Sequence, residues 1–217
     1  MQSDHQIRQN VLDELDFEPS VNATNIGVGV HAGVVTLSGY VSSYAEKVAA
    51  ERAARRVRGV RAIAEEIQVR LPSDKKVADD QIAKRAVDIL RWRIGVPADR
   101  IDVKVERGIV TLSGEVEWRY QREEADEAIH HLGGVAQVIN LIRVTSAAQA
   151  FEVKDKIEKA LRRSAALDAA HITVETDGGK VVLHGKVHAW FERRLAEDAA
   201  WSAPGVTDVV DHIQVAP

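Results

Sequence analysis

Apolar residues recur four apart at Ile7, Val11 and Leu15, again at Ile82, Ala86 and Leu90, and again at Val153, Ile157 and Leu161. That spacing draws one stripe down a helix. Each stripe is followed by alternation of apolar and polar positions, as in Ile101-Asp102-Val103-Lys104-Val105 and Ile172-Thr173-Val174-Glu175. Alternation of this kind predicts a strand with one wet face. A second strand follows in Val34–Leu37 and its equivalents. A second helix, opening near Ser43-x-x-Glu46 as a capping box, turns a small-residue stripe inward. The stripe is Ala50, Ala53, Ala54 and Val57, then Ala125, Ala128, Ile129 and Leu132, then Ala196, Ala199, Ala200 and Ala203. A last strand closes each set with Ile67-x-Val69, Ile142-x-Val144 or Ile213-x-Val215.

The glycines set the register. Gly33-Val34-Val35-Thr36-Leu37-Ser38-Gly39 returns as Gly108-Ile109-Val110-Thr111-Leu112-Ser113-Gly114 and as Gly179-Lys180-Val181-Val182-Leu183-His184-Gly185. Aligning the second glycines puts 4–71, 79–146 and 150–217 in step without a gap. Gly33, Gly108 and Gly179 are expected in a tight turn with positive φ. Gly39, Gly114 and Gly185 are expected to end the second strand in a kink or bulge, and Gly59, Gly134 and Gly205 to end the second helix.

The reading is an α+β chain of three tandem α-β-β-α-β modules. Each is a three-stranded mixed sheet with two helices on one face. The crossover through the second helix makes the second and third strands parallel, while the strand order stays open. Modules are expected at 1–71, 79–146 and 150–217, with linkers at 72–78 and 147–149. Units this small have thin cores, so packing between modules is expected.

Composition narrows the function classes. Hydrophobic residues at 45% and charged residues at 29% fit an ordinary globular chain. The net charge of −4 is spread evenly, and no third of the chain is strongly basic, so nucleic acid is not an expected partner. There is no cysteine, which removes disulfides, thiolate metal sites and a thiol nucleophile. The first residues form no export signal, which implies the cytoplasm if Met1 is the native start, and the periplasm if a signal precedes it. No nucleophile–base pair, phosphate-cradling loop or H-E-x-x-H motif is present, so neither an enzyme nor a cofactor is expected.

The pattern Val35-x-Leu37-x-Gly39-x-Val41 through Gly59-Val60, repeated from Val110 to Val135 and from Val181 to Val206, resembles the BON domain of bacterial osmotically inducible and nodulation-associated proteins. The resemblance implies a non-enzymatic, stress-associated binding module that contacts phospholipid membrane or envelope components. A structural protein–protein module without lipid affinity is the alternative. The matching residues are glycines and core aliphatics, so they carry fold rather than a ligand site.

Candidate contact residues come from elsewhere. Aromatics gather where the second strand meets the second helix: Tyr40 and Tyr44, Trp118 and Tyr120, Trp190 and Phe191. They form either a half-wet rim for a membrane or partner, or packing at the helix start and against the next module. Arg91, Trp92 and Arg93 end the first helix of the middle module, where the first module has Phe17. They suit anionic headgroups if Trp92 is exposed, and a helix C-terminus if it packs inward. Arg52, Arg55, Arg56, Arg58 and Arg61 read first as a solvated, ion-paired face. Strand alternation places His184 and His212 on the uncovered sheet face. Two imidazoles without a third ligand make a poor metal site, and no metal is assigned.

Overall fold

The computed structural model describes residues 3–72, 77–145, 153–163 and 171–215. In the first module, α1 (Asp4–Phe17) is followed by β1 (Ile26–His31), β2 (Val34–Val41), α2 (Tyr44–Arg56) and β3 (Ala62–Val69). The second repeats this with α3 (Asp79–Trp92), β4 (Ile101–Glu106), β5 (Ile109–Val116), α4 (Arg119–His130) and β6 (Gln137–Val144). The third has α5 (Val153–Arg163), β7 (Ile172–Asp177), β8 (Lys180–Val187), α6 (Trp190–Trp201) and β9 (Asp208–Val215). Of the expected linkers, residues 73–76 of the first and all of 147–149 lie outside the described residues.

Each sheet runs in sequence order, β1-β2-β3, β4-β5-β6 and β7-β8-β9, which settles the open strand order. β1 lies antiparallel to β2, from Ile26 opposite Gly39 to His31 opposite Val34. β2 and β3 are parallel, from Val34 opposite Ala62 to Val41 opposite Val69, and β8 and β9 repeat that arrangement. Both helices of a module cover one sheet face and touch each other. The predicted stripes are the core. Ile7, Val11, Leu15, Val35, Leu37, Ala50, Ala53 and Ala54 are buried in the first module, and so are their equivalents in the others except Ala199, which is half-buried. Burying a leucine such as Leu37 contributes about 1.5–3 kcal/mol, and the alanines let α2 lie close to the sheet.

Three glycine expectations need correction. The second strand does not end at Gly39 but runs on to Val41 with its pairing to β3 intact. The glycine is required by proximity. A Cβ there would overlap the Asn25 carbonyl oxygen, as it would the Arg100 carbonyl at Gly114 and the His171 carbonyl at Gly185. In the hairpin turn, positive φ falls on Gly33 and Gly108, but in the third module on Gly178 rather than Gly179. Gly59, Gly134 and Gly205 lie beyond the helix ends at Arg56, His130 and Trp201, in the turn that leads to the last strand.

The turns carry a device that periodicity does not show. Ala32 and Arg107 sit at φ 50° and 52°, a costly conformation for residues with a Cβ. The Asp4 carboxylate accepts from the Ala32 N–H at 2.7 Å and the Gly33 N–H at 3.0 Å. Asp79 does the same for Arg107 at 2.7 Å and Gly108 at 2.9 Å. The first helix thus pins the hairpin through one charged side chain. The third repeat has Ala150 at that place and a Gly178-Gly179 turn, which needs no clamp.

Candidate functional site

The helix starts are built by a side chain one turn in. Ser43 caps α2 by accepting from the Glu46 N–H at 3.2 Å. The Glu46 carboxylate is buried and reaches past the cap to the N–H groups of Asn22 and Ser42, each at 2.9 Å. It also accepts from the Ser42 hydroxyl. The expected box is therefore half formed, with the acid spent on tying the loop before β1 to the helix. Gln121 accepts from Glu117 and Trp118, and Glu192 accepts from His188, at the same place in the other modules. These residues are structural, and the neighbouring aromatics ride on the frame they hold.

The aromatics divide into two groups. Trp118, Tyr120 and Phe191 are exposed, as is Tyr40, over which the Arg70 guanidinium lies at 4.4 Å. Tyr44 and Trp190, which share one place in the repeat, are half-buried and do not belong to an open rim. Tyr44 stands edge-on to His130 of the second module, ring centroids 5.2 Å apart at 76°. Burial pushes its phenol above the ordinary value, offset by a backbone hydrogen bond with Val138. Trp190 packs under the Arg193 guanidinium at 4.9 Å, and Arg193 is held by Asp211 at 2.6 Å. Packing places these two because each lies beside a neighbour that covers it.

Trp92 does not pack inward. It is 86% exposed at the last residue of α3, between exposed Arg91 and Arg93. Ile94 next to it is fully exposed, and Phe17 holds the equivalent place in the first module at 82%. The chain turns back at Gly95, which lies against the flexible end of the Glu124 side chain of α4. The result is a projecting tip of alternating cation and apolar residue. Ile94 was not singled out by sequence reasoning, although the run Arg91-Trp92-Arg93-Ile94 before a glycine held the signal.

The arginine-rich face of α2 is ion-paired. Arg55 meets Glu51 at 2.6 Å, and Arg56 meets Glu14 and Glu18 at 2.8 Å each. Those bonds hold the Glu18 carboxyl below the usual carboxylate range, with the Arg56 hydrogen bond as the main cause and Ser20 second. Arg52 faces Glu127 of α4 at 3.8 Å. No group of three or more metal-ligating side chains gathers among the described residues. No described helix is long and apolar enough to cross a membrane.

Comparison with known proteins matches the BON domain at residues 3–70, 78–146 and 150–217. The chain belongs to the BON domain family. Osmotically-inducible protein Y of Escherichia coli (strain K12) is 29% identical over 146 residues, which covers 63% of this chain and 70% of that protein. Among solved structures, the C-terminal domain of CdsD, a structural protein of the type III secretion system of Chlamydia trachomatis, aligns over the full length of both chains at 15% identity. A second CdsD structure aligns at 16% identity over 96% of this chain and 91% of that one. Both have a TM-score of 0.27, too low to carry an argument. Three BON modules agree with the three sheets described above.

Proposed function

We propose that this BON protein is a non-enzymatic, stress-associated binding or adaptor protein whose modules contact phospholipid membrane or envelope components. The observation that carries the reading is Trp92, 86% exposed with Ile94 beyond it and Arg91 and Arg93 on either side. A large aromatic gains little from water, whereas at a lipid–water interface its ring is solvated on both sides. Two cations beside it attract anionic headgroups at about 1 kcal/mol each near the surface. Further exposed aromatics at Trp118, Tyr120 and Phe191 offer weak secondary contacts that add through avidity if geometry lets them engage together. The relative named for osmotic induction supports the stress association.

Sedimentation with anionic and neutral vesicles tests this. The full chain is expected to pellet with phosphatidylglycerol vesicles at low salt and much less with phosphatidylcholine. Trp92→Ala, or Arg91→Gln with Arg93→Gln, should weaken the anionic binding about tenfold or more. Absence of binding at low salt would sink the lipid reading. The structural protein–protein alternative is favoured by Tyr44, whose ring is used between modules and not on the surface. It would stand if vesicles fail to bind.

A further inference from the structure

The uncovered face of the third module's sheet carries a pair of histidines that neither the family match nor the lipid reading uses. His184 of β8 and His212 of β9 are direct register partners in the parallel pair. Both are exposed, and their rings lie stacked with centroids 5.2 Å apart and planes 23° apart. The first module has Ser38 opposite Glu66 at these places, and the second has Ser113 and Leu141. The imidazole pair therefore belongs to the third module alone.

We propose that His184 and His212 chelate a divalent transition metal ion of the Zn²⁺ or Ni²⁺ class, with water completing the coordination. Sequence spacing gives two distant histidines. The parallel register turns them into neighbours on one face, at the cross-strand distance of about 5 Å. Metal–nitrogen bonds of about 2.0–2.1 Å require the donor nitrogens within about 4 Å of each other. Both rings stand in solvent, so modest χ rotations splay them from stacking to converging around an ion. Once the first imidazole is bound, the second is already held at high effective concentration, and this makes a chelate tighter than a lone histidine.

The surroundings choose the metal. The row across the sheet is Thr173, His184 and His212, with no carboxylate in it. A neutral nitrogen site of this kind suits borderline ions and not Mg²⁺ or Ca²⁺, which want oxygen ligands. Other ionisable groups on the same face are Glu175 and Asp177 of β7, Lys180 and Lys186 of β8 and Asp208 of β9. Three carboxylates and two lysines nearly balance, so the imidazoles and not the charge of the face would hold the ion.

Calorimetric titration of the full chain with ZnCl₂ and with NiCl₂ tests the proposal, with His184→Gln, His212→Gln and His188→Gln as variants. The expected result is one ion per chain at neutral pH. Either His184→Gln or His212→Gln should weaken binding about tenfold or more, while His188→Gln matches the parent. All three sites lie on the surface, so circular dichroism should show each variant folded. Equal affinity in the parent, His184→Gln and His212→Gln, or equal loss in His188→Gln, overturns the proposal. Neither outcome bears on vesicle binding, which uses other residues.

Discussion

Gly114 faces the Arg100 carbonyl so closely that any side chain displaces backbone, and Gly39 and Gly185 repeat the arrangement. Backbone cannot swing aside as a flexible side chain can. Gly114→Ala is therefore expected to lower stability by about 3 kcal/mol, read from urea denaturation of the full chain. A loss under about 1 kcal/mol would mean that the strand end yields. Glu18 supplies a pH test. Its folded-state pKa is depressed by Arg56, so its contribution is present above the unfolded carboxylate value and fades as pH falls through the folded one. Glu18→Gln should differ from the parent at neutral pH, with the difference vanishing in acid, as denaturation midpoints at the two conditions would show. The three glycines were plain in the sequence. Their reason was not, because the carbonyl each one meets belongs to a residue before the first strand, fourteen positions back in each module.

At the scale of an element, the hairpins show how one charge replaces conformational freedom. Asp79 accepts two N–H groups from a turn whose Arg107 is held at positive φ. Hydrogen bonds to a charged acceptor contribute about 1.5–3 kcal/mol. Asp79→Ala should therefore destabilise the second module by about 2 kcal/mol, and Arg107→Gly in that background should restore about 1 kcal/mol by removing the left-handed penalty. Thermal denaturation of the single and double variants checks both, and failure of Arg107→Gly to recover any stability would refute the account. A sequence reader sees the turn glycine. The acid lies 28 residues before the N–H it binds, on an element whose own pattern is complete without it.

At the scale of the whole molecule, the first two modules belong to one compact unit that runs to Arg143, and the third belongs to another that starts at Val144. Within the first unit, α2 and α4, the same helix of the two copies, face each other. Tyr44 at the start of one meets His130 at the end of the other, and Arg52 meets Glu127, its own counterpart in the repeat. The two copies thus touch through the same helix of each. Tyr44→Ala should cost about 2 kcal/mol and split the unfolding of the two modules into separate calorimetric transitions. A trace as cooperative as the parent's would show that the ring does not couple them.

The repeats, the order of helices and strands, the parallel crossover and the core stripes were legible in the residues alone. Periods of 3.6 and 2 and the positions of glycines are local constraints, and a threefold copy states each of them three times. Three matters depended on the folded chain: which aromatics are covered, which modules pair and which histidines become neighbours. Tyr44 and Trp118 look alike in sequence, yet one meets His130 and the other meets water. His184 and His212 share a row only because β8 and β9 take one register out of several. Burial and adjacency belong to residues brought together across the chain, and periodicity carries no record of what will stand opposite.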